Sequence, residues 1–163
     1  MLGAIIGDIV GSRFEFDNIY KTDFELFTSE CAFTDDSICT IAVADAIMRN
    51  EDIGKVLHEW CRRYPYPKGG YGGSFARWVY SNSPQPYGSF GNGSAMRVSP
   101  CGWLPTRKDA LRMEKYLPSV HTTTPRVSRE LNVWRTASTL RETKKTKHNS
   151  ERWYKSSTAT TST

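Results

Sequence analysis

Three clusters of residues carry groups that can do chemistry. Phe33-Thr34-Asp35-Asp36-Ser37 sets a hydroxyl beside two adjacent carboxylates. A hard divalent cation such as Mg²⁺ takes several oxygen ligands, and Thr34, Asp35 and Asp36 supply them from one turn of chain. The same residues suit a helix start with no ion at all. Thr is a good N-cap, and Asp in a first turn gains about 0.3–1 kcal/mol from the helix dipole. Gly7-Asp8-Ile9-Val10-Gly11-Ser12-Arg13-Phe14-Glu15 places two carboxylates around a Gly-rich segment, which also reads as a tightly packed helix with Gly11 near its C-terminus and Glu15 in solvent. Tyr87-Gly88-Ser89-Phe90-Gly91-Asn92-Gly93-Ser94-Ala95-Met96-Arg97 has glycines that let backbone approach a ligand closely. A helix start just after them aims free N–H groups at an anion, the way a pyrophosphate is cradled. Its spacing matches neither the Walker A loop nor Gly-x-Gly-x-x-Gly, and a structural loop is the other reading.

The elements that must position these clusters read as helices. Leu2 to Val10 is a short apolar segment in which Gly3, Gly7 and Gly11 recur every four residues, a smooth stripe on which another helix can pack closely. Asp35 to Met48 is a second helix capped by Thr34, with Ile38, Ile41, Ala42, Ala44, Ile47 and Met48 as its apolar stripe. Asp52 to Arg63 is a third, ended by Tyr64-Pro65. His58 on it reads as an ordinary surface or half-buried histidine. Between Tyr66 and Gly93 the pattern is mostly loop with a short apolar turn at Phe75 to Tyr80, and Ser94 to Trp103 resumes a helix-like run. Nothing alternates as a strand, so the expected fold class is all-α.

The chain has 163 residues, enough for about one domain. Its mean hydropathy of -0.54 and the absence of a run of about 18 apolar residues oppose a membrane protein. The apolar start lacks a basic flank and carries Asp8, so a signal peptide is not expected and the location read from it is cytoplasmic. Cys31, Cys39, Cys61 and Cys101 form no Cys-x-x-Cys pair and have no His at ligand spacing. Four reduced thiols are expected rather than zinc or disulfides.

The formal charge of +5 conceals a break near residue 112. All 12 glycines and every aspartate lie at or before Asp109, whereas residues 113–163 are rich in Thr, Ser and Lys. The first part is close to neutral and the positive charge belongs to the tail. The basic run Arg141 to Lys147 reads as a solvated, disordered stretch with too few apolar residues to pack, so no nucleic-acid partner is expected.

In their order and spacing the three clusters resemble the ADP-ribosylglycohydrolase family. The resemblance covers residues 1–112 and includes Tyr64-Pro65, Gly70-Tyr71-Gly72-Gly73-Ser74-Phe75 and Trp78. It implies the N-terminal part of an all-α helical fold, two Mg²⁺ ions in a cleft, and hydrolysis of the glycosidic bond joining ADP-ribose to a protein side chain or small acceptor. The implied metal ligands are Thr34, Asp35 and Asp36, and the implied catalytic carboxylates are Glu15 and Asp35. Gly88, Ser89, Phe90, Gly91, Asn92 and Gly93 form the implied substrate-binding loop for phosphates and distal ribose. The implied partner is an ADP-ribosylated protein or a small ADP-ribose conjugate, with no nucleic acid and no membrane. A fold does not prove catalysis, and a non-catalytic ADP-ribose binder or structural relative is the alternative.

Two later motifs of that family are absent as written. One is a stretch near Thr-His-Asn-His-Pro-Glu-Gly, and the other is a Gly-Gly-Asp-x-Asp-Thr that supplies further metal ligands. No Asp follows Asp109, so the second ligand set is expected to be missing. Read one base early, the codons permitted for His121 to Asn132 allow Thr-His-Asn-His-Pro-Glu-Gly-Ile-Lys-Gly-Ala-Glu. The expectation is therefore a family domain over 1–112 followed by a tail, 113–163, translated out of frame after a shift near Arg112. Such a truncated body should expose apolar faces and turn over slowly, if at all.

Overall fold

The computed structural model describes residues 1–89, 91–104, 106, 108–109 and 121–123. Its elements in chain order are α1 (Leu2–Gly11), α2 (Asp35–Arg49), α3 (Ile53–Arg63), α4 (Gly73–Tyr80), β1 (Tyr87–Ser89), α5 (Gly93–Met96), a 3₁₀ turn (Ser99–Trp103) and β2 (His121–Thr123). The architecture is helical, with α2 at its centre.

Helix α2 begins where the sequence places it. The Thr34 hydroxyl accepts from the Asp36 N–H at 3.1 Å, and Asp35 and Asp36 occupy the first turn. It ends at Asn50, whose left-handed backbone (φ 54°) is a conformation Asn tolerates better than most residues. The chain turns back at once into α3, capped by the Asp52 carboxylate on the Lys55 N–H at 2.8 Å. Tyr64 closes α3 just before Pro65.

Apolar side chains of α2 divide between two clusters. Ile38, Cys39 and Ala42 pack with Leu57 and Cys61 of α3 and with Phe75, Trp78 and Val79 of α4. Val43 and Ala46 pack with Ile53 and Val56 of α3, Ala95, Val98 and Cys101. Three of the four cysteines are thus core residues, and all four are free thiols. His58 sits edge-on to Trp78, its centroid 5.3 Å away, with Nε2 3.2 Å from the Ser81 carbonyl, a packed role.

Four local expectations are revised. The apolar turn at 75–80 is a two-turn helix, because Phe75, Trp78 and Val79 bury one face that the preceding glycines obscure in sequence. The single run expected over 94–103 is broken into α5 and the 3₁₀ turn. Pro100 has no N–H to offer the Met96 carbonyl, which accepts from the Thr40 hydroxyl at 3.5 Å instead. The glycine stripe of α1 receives no helix: a Cβ added at Gly3, Gly7 or Gly11 meets nothing within 4 Å. That face opens onto clefts. Finally, β1 and β2 form a parallel ladder pairing Tyr87 with His121, Gly88 with Thr122 and Ser89 with Thr123. Sequence patterning left no strand here and no packing beyond 112. A ladder is made by backbone groups, and it needs no apolar stripe; consecutive threonines suit the extended chain. The remainder of the tail, including Arg141 to Lys147, lies outside the described residues.

Helix α1 buries none of its own side chains. Met1, Leu2, Ile47, Met48, Trp103 and Leu104 wall an apolar cleft of about 630 Å³ beside it. Among the described residues no helix is long and apolar enough to cross a membrane.

Candidate active site

Two clefts meet at Met96. The first, about 390 Å³, runs along the glycine face of α1 and is lined by Gly7, Asp8, Gly11, Glu15, Thr34, Asp36 and Met96 among others. The second, about 400 Å³, is lined by Gly72, Gly73, Phe75, Tyr87, Gly88, Gly91, Asn92, Gly93, Met96 and Arg97. Oxygen donors line one cleft and the glycine loop lines the other, and Met96 belongs to both linings.

The acidic cleft is assembled by Asp8. Its Oδ2 accepts the Thr34 N–H at 2.9 Å and the Ser37 N–H at 3.2 Å, and its Oδ1 accepts the Thr34 hydroxyl at 2.5 Å. An anion at the positive end of α2 satisfies first-turn N–H groups and the helix dipole together. Buried Ser12 adds a second tie between α1 and the approach to α2, since its hydroxyl donates to the Ile9 carbonyl (2.9 Å) and accepts the Ala32 N–H (3.1 Å).

Glu15 reaches the cleft from the loop after α1 and rests on Gly69. A Cβ at Gly69 would lie 2.7 Å from Glu15 Oε2, and the backbone there is left-handed (φ +77°). The left-handed backbone favours glycine, and a Cβ there would displace the Glu15 carboxylate. Gly69→Ala should destabilise the protein by about 1–2 kcal/mol through backbone strain and push Glu15 out of the cleft. Thermal melting of the variant checks the loss of stability.

Burial and crowding raise Asp35 and Asp36. Asp35 is pushed up to about 6, first by burial and then by the charges of Asp36, Glu15 and Asp8. Asp36 is raised by burial and by Asp8 and Glu15, while Arg97 opposes the shift. An acid whose native pKa lies above its unfolded value binds its proton more tightly when folded. Its contribution to stability is present below about pH 4 and is lost as pH rises through about 6. Asp35→Asn removes that loss, so the melting temperature of the variant relative to the parent should climb between pH 4 and pH 7. A flat difference across that range would show that Asp35 ionises without strain.

The predicted residues fall as follows. Thr34, Asp36 and Glu15 line the first cleft, and Gly88, Gly91, Asn92 and Gly93 line the second. Asp35 is not among the lining residues; it is half-buried, it feels the charge of Asp36, and its own charge acts on Cys39, Cys61 and Tyr71. Ser89 contributes backbone to β1, and Phe90 lies outside the described residues. Sequence reasoning missed Gly69, Met96 and the anchoring part played by Asp8, which depend on neighbours brought close only by folding. It also missed Arg97, fully buried with its guanidinium 5.2 Å from the Phe75 ring centroid. The Met96-Arg97 pair following the glycine loop was the available signal.

The donors Thr34, Asp35 and Asp36 are hard oxygens, and their mutual repulsion is the kind a divalent cation relieves, so their chemistry fits Mg²⁺. Their number does not complete a site: among the described residues no three His, Cys, Asp or Glu side chains are grouped to hold a metal ion.

Comparison with known proteins bears on this arrangement. Residues 1–126 match the family profile described as ADP-ribosylglycohydrolase. Searches of curated proteins and of solved structures gave no match. The match spans well over half of the chain and includes both clefts, and the chain belongs to the ADP-ribosylglycohydrolase family.

Proposed function

We propose that the paired clefts bind an ADP-ribosyl group carried by a protein or a small conjugate in the cytoplasm. The chain's residues would hydrolyse its glycosidic bond with Mg²⁺ held by Thr34, Asp35 and Asp36, and turnover in these 163 residues is proposed to be impaired. One observation carries the reading: Met96 walls both clefts, so a ligand cradled by the glycine loop extends directly toward the oxygen donors.

The residues divide the work. Backbone at Gly88, Gly91, Asn92 and Gly93 lets a pyrophosphate approach within hydrogen-bonding distance, and the buried Arg97 cation beneath the cleft favours that anion. Ser89 and Phe90 belong to the same loop. Glu15, exposed at the cleft mouth, accepts the proton of the attacking water. Thr34, Asp35 and Asp36 would hold the cation, which when bound supplies charge to orient ribose hydroxyls and ease deprotonation of water. Asp35, half-buried beside the lining of the first cleft, is proposed as the second carboxylate of the reaction.

The proposed impairment rests on composition: residues 110–163 contain no aspartate that could serve a second ion site. The out-of-frame reading of residues 113–163 is part of the same proposal, and resequencing the DNA around codon 112 tests it. A second reading, capture of ADP-ribose without turnover, is favoured by the same shortage of donors. Calorimetry with ADP-ribose in millimolar Mg²⁺, alongside an assay for ADP-ribose released from a modified protein, separates the two. Heat with slow release supports the first reading, and heat with no release supports the second. No heat in the calorimeter overturns both.

A further inference from the structure

Asp8 is spent on other bonds: one oxygen takes the Thr34 hydroxyl and the other takes two backbone N–H groups. Those bonds also dictate the state of Thr34. A hydroxyl has one proton and two lone pairs. The Thr34 proton goes to Asp8 Oδ1, and one lone pair receives the Asp36 N–H. A single lone pair remains on the hydroxyl of Thr34, a residue that lines the cleft. We infer that Asp8 is a positioning residue that turns the Thr34 hydroxyl into an acceptor facing the cleft, ready for a cation, without ligating the cation itself. This rests on the proposed Mg²⁺ role of Thr34.

Asparagine at position 8 separates this role from a merely structural one. In Asp8→Asn the amide oxygen keeps the Thr34 and Ser37 N–H bonds that hold α2, so the cap survives. The NH₂ group then faces Thr34 Oγ1 and donates to it. Both Thr34 lone pairs become occupied, and the Thr34 proton turns into the cleft, where it repels a cation. The change is one of hydrogen-bond polarity at nearly constant shape.

The probe is Mn²⁺, whose free-ion paramagnetic resonance signal disappears on binding, titrated into the full-length protein and its variants. Asp8→Asn should keep its helical circular dichroism and lose only a few degrees in melting temperature with the charge at the start of α2, while losing about 10–100-fold in Mn²⁺ affinity, the usual loss when an outer-sphere partner is removed. Thr34→Val should lose a similar factor. The double variant should be no weaker than the weaker single one, because both changes remove the same oxygen lone pair. Wild-type affinity in Asp8→Asn, or losses that simply multiply in the double variant, would overturn the role of Asp8 while leaving the cation reading intact. No Mn²⁺ binding by the parent protein overturns the cation reading and this inference with it. If Asp8→Asn does not fold, Thr34→Val decides alone, since undiminished binding there removes the acceptor on which the inference stands.

Discussion

Gly88→Leu should lower ADP-ribose affinity by at least about 100-fold, roughly 2.7 kcal/mol of binding free energy, while leaving the melting temperature unchanged or slightly raised. The separation of effects comes from where the glycine sits. Gly88 lines the second cleft, and a Cβ built on it meets nothing within 4 Å, so the fold does not need the missing side chain. It lies in β1, paired with Thr122, where an extended backbone accepts any L-residue. A leucine therefore fits the strand and restricts the unfolded chain more than glycine does. The ligand has no such tolerance. A cleft of about 400 Å³ is already modest for an ADP-ribosyl group, and a branched side chain on its wall excludes the close backbone approach that the glycine permits. Calorimetry and thermal melts on the same sample test both halves. Undiminished binding would mean that the nucleotide sits elsewhere, whereas a collapse in stability would mean that the glycine serves the fold.

The second large effect belongs to the core. Leu57 is fully buried and touches the cluster that joins α2, α3 and α4. Leu57→Ala should cost about 3 kcal/mol, combining lost burial with the cavity left behind. For a body of this size that is a fall of more than about 10 °C in Tm, and a large share of the whole folding free energy. Site and core fail together here, since α2 and its cap supply both Ile38, Cys39 and Ala42 to this cluster and Thr34 and Asp36 to the cleft. Circular-dichroism melts measure the loss. A drop smaller than about 1 kcal/mol would show that the three helices repack around the gap.

Much of the framework was legible in the residues, and what was not has identifiable causes. Helix α2 announced itself through Thr34-Asp35-Asp36 and its apolar period, and α3 through Asp52 and Tyr64-Pro65, because caps and stops are local chemistry. Helix α4 was concealed by Gly72 and Gly73, whose flexibility reads as loop until Phe75 and Trp78 find the core. The break at Pro100 was written in the sequence but its partner, the Thr40 hydroxyl 60 residues earlier, was not. Asp8 presents the same difficulty: it bonds Thr34 across 26 residues, and no spacing rule relates them. Glu15 and Gly69 are related only by a contact of the folded chain. The glycine stripe of α1 misled for a different reason. Small residues signal close approach, and on α1 the room they leave is kept for the cleft.

The shared wall at Met96 has a thermodynamic corollary. If a cation occupied one cleft and a nucleotide the other, both would border Met96, and their occupancies would be linked by one coupling free energy. Linkage is reciprocal: whatever factor Mg²⁺ applies to ADP-ribose affinity, ADP-ribose applies to Mg²⁺ affinity. Even where turnover is too slow to detect, that shared factor reports whether the two halves of the site still act as one heterotropic unit.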